Sequence, residues 1–340
     1  MKKTPKTPFS TPLSGSAKET EMRFRNILKW KKSRPPMILL VLLLCAALLC
    51  CSMVACQEAP SASQEFLKLE AGAAVPKDST YVTAAGETLN PGQPMPSEVQ
   101  EGDQFITPQF VYQSTVVHVT VAGTKTEPGW LAALNDANGS RAEITEITES
   151  MYEVIDGLPL LSMTGTYQGC AKLTQVPPIP DTVLDMTGTF VQCTSLCQVP
   201  DLPQNLDNMS AAFAECTALK EVPAIPVGVV SMEKAFLHCT SLEKTPDFSH
   251  CTEFQQFSHV FEGCTALKEV CEIPECITVM DSTFKGCSSL RGTVRIHANI
   301  HDNYTCADVF AGCSGLTLTG SCPVEGLEAM ADTWTDIHVG

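Results

Sequence analysis

Past residue 36 this chain is short of cations: twelve Lys and Arg stand against thirty-six Asp and Glu, a net charge of −24. Such a body repels a phosphate backbone, which removes nucleic acid from the candidate partners. Its 17 cysteines include no C-x2-C pair, and ligands 23 residues apart do not form a local zinc knuckle. His297, His301 and Cys306 offer a His-x3-His spacing. They sit in a Val/Ile/Thr-rich stretch read as extended or irregular, where no convergent ligand set is evident. No His accompanies a Ser or Cys nucleophile in an identifiable motif, so catalysis is unsupported. No metal and no cofactor is expected.

Charge is also absent from "MILLVLLLCAALLCCSMVAC", Met37 to Cys56. Its length is near the roughly 20 residues that span a bilayer as a helix, and with no polar face it is a poor core helix. Residues 1–36 carry ten Lys and Arg against Glu19 and Glu21, a basic head that argues for an N-terminus held in the cytoplasm. Two exported readings follow: an uncleaved anchor, or a signal segment removed on export. The closing "MVAC" is similar to a bacterial lipobox, in which Cys56 takes lipid. Met53 stands where Leu is usual, and the head is long unless translation starts at Met22. The motif's place at the end of the apolar run favours lipidation. Both readings put the body at the cell membrane, exposed on the extracellular side.

Residues 57–107 are rich in Ala, Pro, Ser, Glu and Gly with few large apolar residues, a composition expected to form a flexible tether. In "FVYQSTVVHVTVAG" (110–123) Val117, Val119 and Val121 alternate with polar residues, a strand signal. With Trp130 and a helix expected around Ile144–Ile147, residues 108–157 read as a small N-terminal cap.

What the chain has in abundance is a repeat. Cys170, Cys193, Cys216, Cys239, Cys264, Cys287 and Cys313 are spaced 23, 23, 23, 25, 23 and 26 residues apart. Three residues before each stands an aromatic (Tyr167, Phe190, Phe213, Phe236, Phe261, Phe284, Phe310), and three after each stands a Leu. Seven before the Cys, five units carry Met. This is a repeat architecture. Offsets of four and seven, as in Met186, Phe190 and Cys193, place one stripe on a short helix, with the Thr, Ser or Asp after the Met as its cap. The segment after the Leu is extended, and a Pro-set turn returns the chain. One such coil buries its stripe only against its neighbours, which requires the unit to be restated. The fold expected over 158–316 is a solenoid of mixed α/β coils, a short strand and a short helix in each, closed by a C-terminal cap at 317–340.

The template M-x3-F-x2-C-x2-L-x2-V-P-x-I-P resembles the BspA-like leucine-rich repeats of bacterial surface proteins. The extra Pro (Pro177, Pro200, Pro223, Pro246) departs from that pattern and predicts very short or polyproline-like strands. The resemblance implies a surface-displayed recognition or adhesion module and transfers no ligand.

Each candidate site has a plainer reading beside it. The ladder cysteines fall on the inward stripe and behave as small buried hydrophobes. Cys251 and Cys276 both lie twelve residues past a ladder Cys, so adjacent coils bring them side by side at a separation a disulfide accepts; two unpaired turn thiols are the alternative. If the Val six after each Cys points inward, its neighbours point out. They are Gln175, Gln198, Glu221, Lys244 and Glu269 in one column and Pro177, Pro200, Pro223 and Pro246 in the next. This strip varies over a constant core, either a binding face or a plain solvated one. Three functions compete: a membrane-anchored module that binds protein or glycan on a host or neighbouring cell, an envelope spacer that self-associates, and an enzyme with an unfamiliar site.

Overall fold

The computed structural model describes residues 69–119, 125–138, 140–147, 155–300, 305–331 and 337–339. Residues 1–56, with the apolar run and Cys56, lie outside them. Among the described residues no helix is long and apolar enough to cross a membrane.

The first element is a sheet where the sequence predicts a tether. Strands β1 (Thr80–Val82), β2 (Thr88–Leu89) and β3 (Gln104–Ile106) join the hairpin of β4 (Phe110–Val119) and β5 (Lys125–Leu134) in the order β2-β1-β3-β4-β5-β6, where β6 is Leu160–Ser162. The expectation of a flexible 57–107 is thus corrected from residue 69 onward. Val75, Tyr81, Met95 and Phe105 are too far apart in sequence to register as a core, yet all are buried once β3 pairs with β4. The buried Asp103 carboxylate holds this segment by accepting hydrogen bonds from the Tyr81 hydroxyl (2.5 Å), the Ala84 N–H (2.7 Å) and the Gln100 N–H (2.8 Å). A buried carboxylate persists only with such partners. The helix expected around Ile144–Ile147 is absent; a short 3-10 turn at Arg141–Glu143 precedes that stretch, which carries no helix.

The strand β6 belongs to both halves of the protein. It pairs in parallel with β5 at Trp130↔Leu160, close enough that a Cβ on Gly129 would stand 2.4 Å from Leu161 Cγ. On its other side Ser162 begins a series of parallel rungs, Ser162↔Asp185, Asp185↔Asn208 and Asn208↔Ser231. These rungs lie just before each Met, not after each Leu, because the prolines remove donors from the later segment. In that later segment the described residues form two isolated rungs, Lys244↔Glu269 and Ile273↔Ile296. Where proline is missing, strands do form there: β7 (Gly292–Arg295), β8 (Leu316–Thr319) and β9 (Ile337–Val339) make a parallel sheet beside the helix α1 (Val324–Ala331).

The short helix expected in each coil is a run of turns instead. Within the coil of Cys193, Thr189 N–H donates to Met186, Val191 to Gly188 and Cys193 to Phe190, each three residues back. The alternate N–H groups of Met186, Gly188, Phe190 and Gln192 donate to the next coil, at 2.8–2.9 Å. The cause is a pair of positions with positive φ, five residues and one residue before every ladder Cys. Gly165/Gly169, Gly188/Gln192, Ala211/Glu215, Lys234/His238, His259/Gly263, Ser282/Gly286 and Asp308/Gly312 fill them. A left-handed residue at every fourth step cannot continue a right-handed helix. It turns the freed N–H groups outward along the stack, so each coil hydrogen-bonds its neighbour. Capping by the residue after the Met gives way accordingly: Asp185 Oδ1 accepts from the Thr187 N–H (2.8 Å) and Asn208 Oδ1 from the Ser210 N–H (2.9 Å).

The core runs down the middle of the stack. Seven rings, Tyr167 to Phe310, stack face to face with centroids 5.3–5.6 Å apart and planes within 13°. Phe110 of β4 meets the first of them edge-on at 6.3 Å, so the N-terminal sheet and the coils share one apolar interior.

Candidate binding face

Each coil fixes a small set of side chains and leaves one face to vary. Every ladder Cys is buried. Six of the seven donate their S–H to the carbonyl of the aromatic one coil back, from Cys193 on Tyr167 O (3.1 Å) to Cys313 on Phe284 O (3.2 Å). That contact separates Cys from an equally small Ala at this position, because the thiol is a weak second donor to a buried carbonyl that already accepts the N–H of the Cys three residues on. Burial pushes the thiols of Cys193 and Cys264 up to about 12 and those of Cys170 and Cys313 up to about 11. These groups are neutral packing atoms, and they present no nucleophile.

The outward column is as the alternation predicts: Gln175, Gln198, Glu221, Lys244 and Glu269 are all exposed. The proline column differs. Pro177, Pro200 and Pro223 are half-buried and Pro246 is buried. Strict in–out alternation belongs to paired strands, and this segment is scarcely paired, so the proline column does not keep to the outward side.

The exposed face collects cations in an acidic protein. Lys220, Lys244, Lys268, Arg291 and Arg295, five of the twelve basic residues beyond residue 36, stand four to eight residues past a ladder Cys. All five are exposed. Carboxylates on neighbouring coils answer them: Lys268 Nζ lies 2.8 Å from Glu243 Oε2, Arg295 Nη1 3.3 Å from Glu272 Oε1, and Lys244 Nζ 3.8 Å from Glu269 Oε2. Lys268 is the chief reason that the Glu243 carboxyl is held below its ordinary value. Exposed pairs of this kind add little to stability, so their effect is on the potential of the face: it is near neutral where the rest of the body is strongly negative.

On this face a groove of about 390 Å³ opens between Lys244, Asp247, Ser249, Val270, Glu272 and Arg295. It lies at the coil with a 25-residue period, whose two extra residues are accommodated around the buried Phe248, Phe254 and Phe257. Asp247 is held below the usual carboxylate range by the N–H and hydroxyl of Ser249. The groove was not foreseen; the longer spacing between Cys239 and Cys264 was its signal.

Cys251 and Cys276 stand on adjacent coils as expected, with Cys276 Sγ 3.4 Å from the Cys251 carbonyl oxygen, and both are thiols in this structure. His297 Nδ1 lies 2.7 Å from Ser321 Oγ, and Cys306 is buried; His301 lies outside the described residues. Among the described residues no three His, Cys, Asp or Glu side chains are grouped to hold a metal ion.

The family model of the BspA type Leucine rich repeat region matches six copies, over residues 164–268 and 187–317. No curated protein matches the chain in sequence. Among solved structures, the chain is similar to the leucine-rich repeat protein of T. pallidum, at 23 % identity and a TM-score of 0.33, over 48 % of this chain and 83 % of that one. It is also similar to a leucine-rich repeat protein from Bacteroides ovatus, at 16 % identity and a TM-score of 0.30, over 69 % and 76 %.

Proposed function

We propose that this chain, whose residues 164–317 are BspA-type leucine-rich repeats, is a membrane-anchored, non-enzymatic cell-surface module that binds protein or glycan. One observation carries the reading. The exposed column from Gln175 to Glu269 changes residue by residue over an invariant Cys, aromatic and Leu core, and it runs into the groove beside Lys244 and Arg295. A face that gathers cations while the body is acidic presents its own pattern to a partner, because complementary charge fixes register and partner choice. The solenoid supplies the rigid backing and the strip supplies specificity.

Attachment follows from the apolar run. Cleavage before Cys56 and acylation there would leave a lipid anchor with more than one chain, enough for stable retention. Intact mass of the membrane-extracted protein is expected to fit a chain starting at Cys56 with added acyl mass. A species starting at Met1 or Met22 without it removes the lipid and leaves an uncleaved anchor.

The binding reading is tested by capture. Full-length protein is presented to surface extracts of host and bacterial cells, with and without prior protease or periodate treatment of the extract. Lys244→Glu combined with Lys268→Glu is expected to cut capture at least tenfold with Tm unchanged, whereas Lys285→Glu, whose side chain pairs with Asp308 on the turn side, leaves it intact. The treatment that abolishes capture gives the ligand class. Equal capture by both variants overturns the assignment of this face, and no capture from any extract favours the spacer, whose charges then serve only to pair across coils.

A further inference from the structure

The ladder explains seven cysteines of the repeats, and three others gather at the 25-residue coil, Cys251 in the core and Cys271 and Cys276 packed against it. Cys251 and Cys276 occupy equivalent places on successive coils, each twelve residues past its ladder Cys. Cys251 is buried; Cys276 is half-buried and reaches solvent. The Cys276 Sγ points at Cys251, 3.4 Å from its carbonyl oxygen, while Cys251 Sγ points back at Pro226 O, 3.6 Å away. Turning Cys251 about its Cα–Cβ bond, from the preceding coil to the following one, is the movement a bond between them requires. Neighbouring chain segments about 4.8 Å apart fall inside the Cα separation of a disulfide. Cys271 lies near Cys251 as well, but its Sγ faces Pro246 O at 3.5 Å, on the groove side.

We propose that Cys251 and Cys276 form a redox-dependent covalent clasp that ties the 25-residue coil to the next one beside the groove. The clasp is independent of what the exposed face binds. The oxidant is a low-molecular-weight disulfide. The half-exposed Cys276 thiolate attacks one of its sulfurs, breaking the S–S bond, forming a mixed disulfide and releasing one thiolate. Cys251, once deprotonated, attacks Cys276 Sγ, forms the intramolecular S–S bond and releases the second thiolate. The two protons lost by the cysteines end on the two released thiols, and the external disulfide is the species reduced. Burial pushes the Cys251 thiol up to about 12, so the second step is the slow one and accelerates as pH rises.

The clasp closes where the stack is least regular. The series of rungs from Ser162 to Ser231 breaks there and resumes at Gln256↔Val279, with Lys244↔Glu269 on the other side of the insertion, and a crosslink there fixes the offset between the two coils and the width of the groove.

The test uses the full-length chain, reduced and then exposed under native conditions to oxidised glutathione at pH 8.5. Free thiols are alkylated and the protein is digested after Lys and Glu. Cleavage at Glu272 and Glu275 separates Cys271 from Cys276. The expected product is a crosslinked pair of peptides holding Cys251 and Cys276, with Cys271 alkylated and with Tm above that of the reduced protein. Cys276→Ser, a half-exposed and conservative change, abolishes both the crosslink and the Tm shift, and Cys271→Ser leaves both in place. A stable glutathione adduct on Cys276 with Cys251 alkylated, or a crosslink through Cys271, overturns the proposal.

Discussion

Raising the pH from 8 to 10 under reducing conditions is expected to unfold the repeat region. Burial, the largest cause throughout, raises every ladder thiol above its ordinary value of 9.0: to about 11 for Cys170 and Cys313, to about 12 for Cys193 and Cys264, and well above 9.0 for Cys216, Cys239 and Cys287. The unfolded chain therefore releases protons first. Below pH 9 both states hold the thiol proton and the stabilising contribution is fully present; it is lost as pH rises from 9 towards 11–12. Each thiol costs roughly 1 kcal/mol per pH unit in that window. Seven acting together approach 5–10 kcal/mol by pH 10, the size of a whole domain's stability. Tyr167, held neutral chiefly by burial, adds with the same sign at higher pH. Circular dichroism melts at pH 8, 9 and 10 check this, and Cys216→Ala is expected to flatten the slope by about one proton. A Tm that stays constant over the window would show that the ladder thiols are not the buried, protonated groups described.

The same ladder shows what could be read from the sequence. A Cys with an aromatic three before and a Leu three after, seven times over, identifies an inward stripe whatever backbone carries it, and all 21 of those side chains are buried. The backbone itself was misread because Met186, Phe190 and Cys193 fit a helical period. The contrary signal was present: Gly stands one residue before Cys170, Cys264, Cys287 and Cys313 and five before Cys170 and Cys193. The remaining left-handed positions hide behind Gln192, Ala211, Glu215, Lys234, His238, His259, Ser282 and Asp308, which only tertiary packing holds there against a cost of about 1–2 kcal/mol each.

Residues 69–107 failed for a different reason. Tyr81 and Phe105 are core residues because β1 pairs with β3 and β3 with β4, and local composition carries no trace of those long-range pairings. The exposed column was legible because Gln175, Gln198 and Glu221 alternate with an inward position. The groove was not, because its walls at Asp247, Glu272 and Arg295 come from different coils, and which coils meet depends on where the two extra residues are absorbed.

Replacing Phe213 by Ala is expected to cost about 3–5 kcal/mol, the usual range for a buried Phe. Its ring lies between Phe190 at 5.3 Å and Phe236 at 5.5 Å, nearly parallel to both, and its own carbonyl accepts the Cys239 thiol at 3.1 Å. Truncation leaves a cavity bounded by two flat rings that cannot close on each other without moving a whole coil. That coil is pinned by backbone hydrogen bonds on both sides, from Phe190 N–H to Ala212 O and from Phe213 N–H to Ala235 O. The penalty should therefore lie near the top of the range. Stability in a stack is a sum of units and the contacts between them, so damage at the middle interface divides the repeats into two shorter arrays. A second, earlier transition in the thermal melt is expected for Phe213→Ala, whereas Phe310→Ala, at the end of the column with a single stacked neighbour, should shift Tm less and keep one transition. Equal shifts for the two variants, or an unchanged melt for Phe213→Ala, would mean that the seven rings do not act as one column.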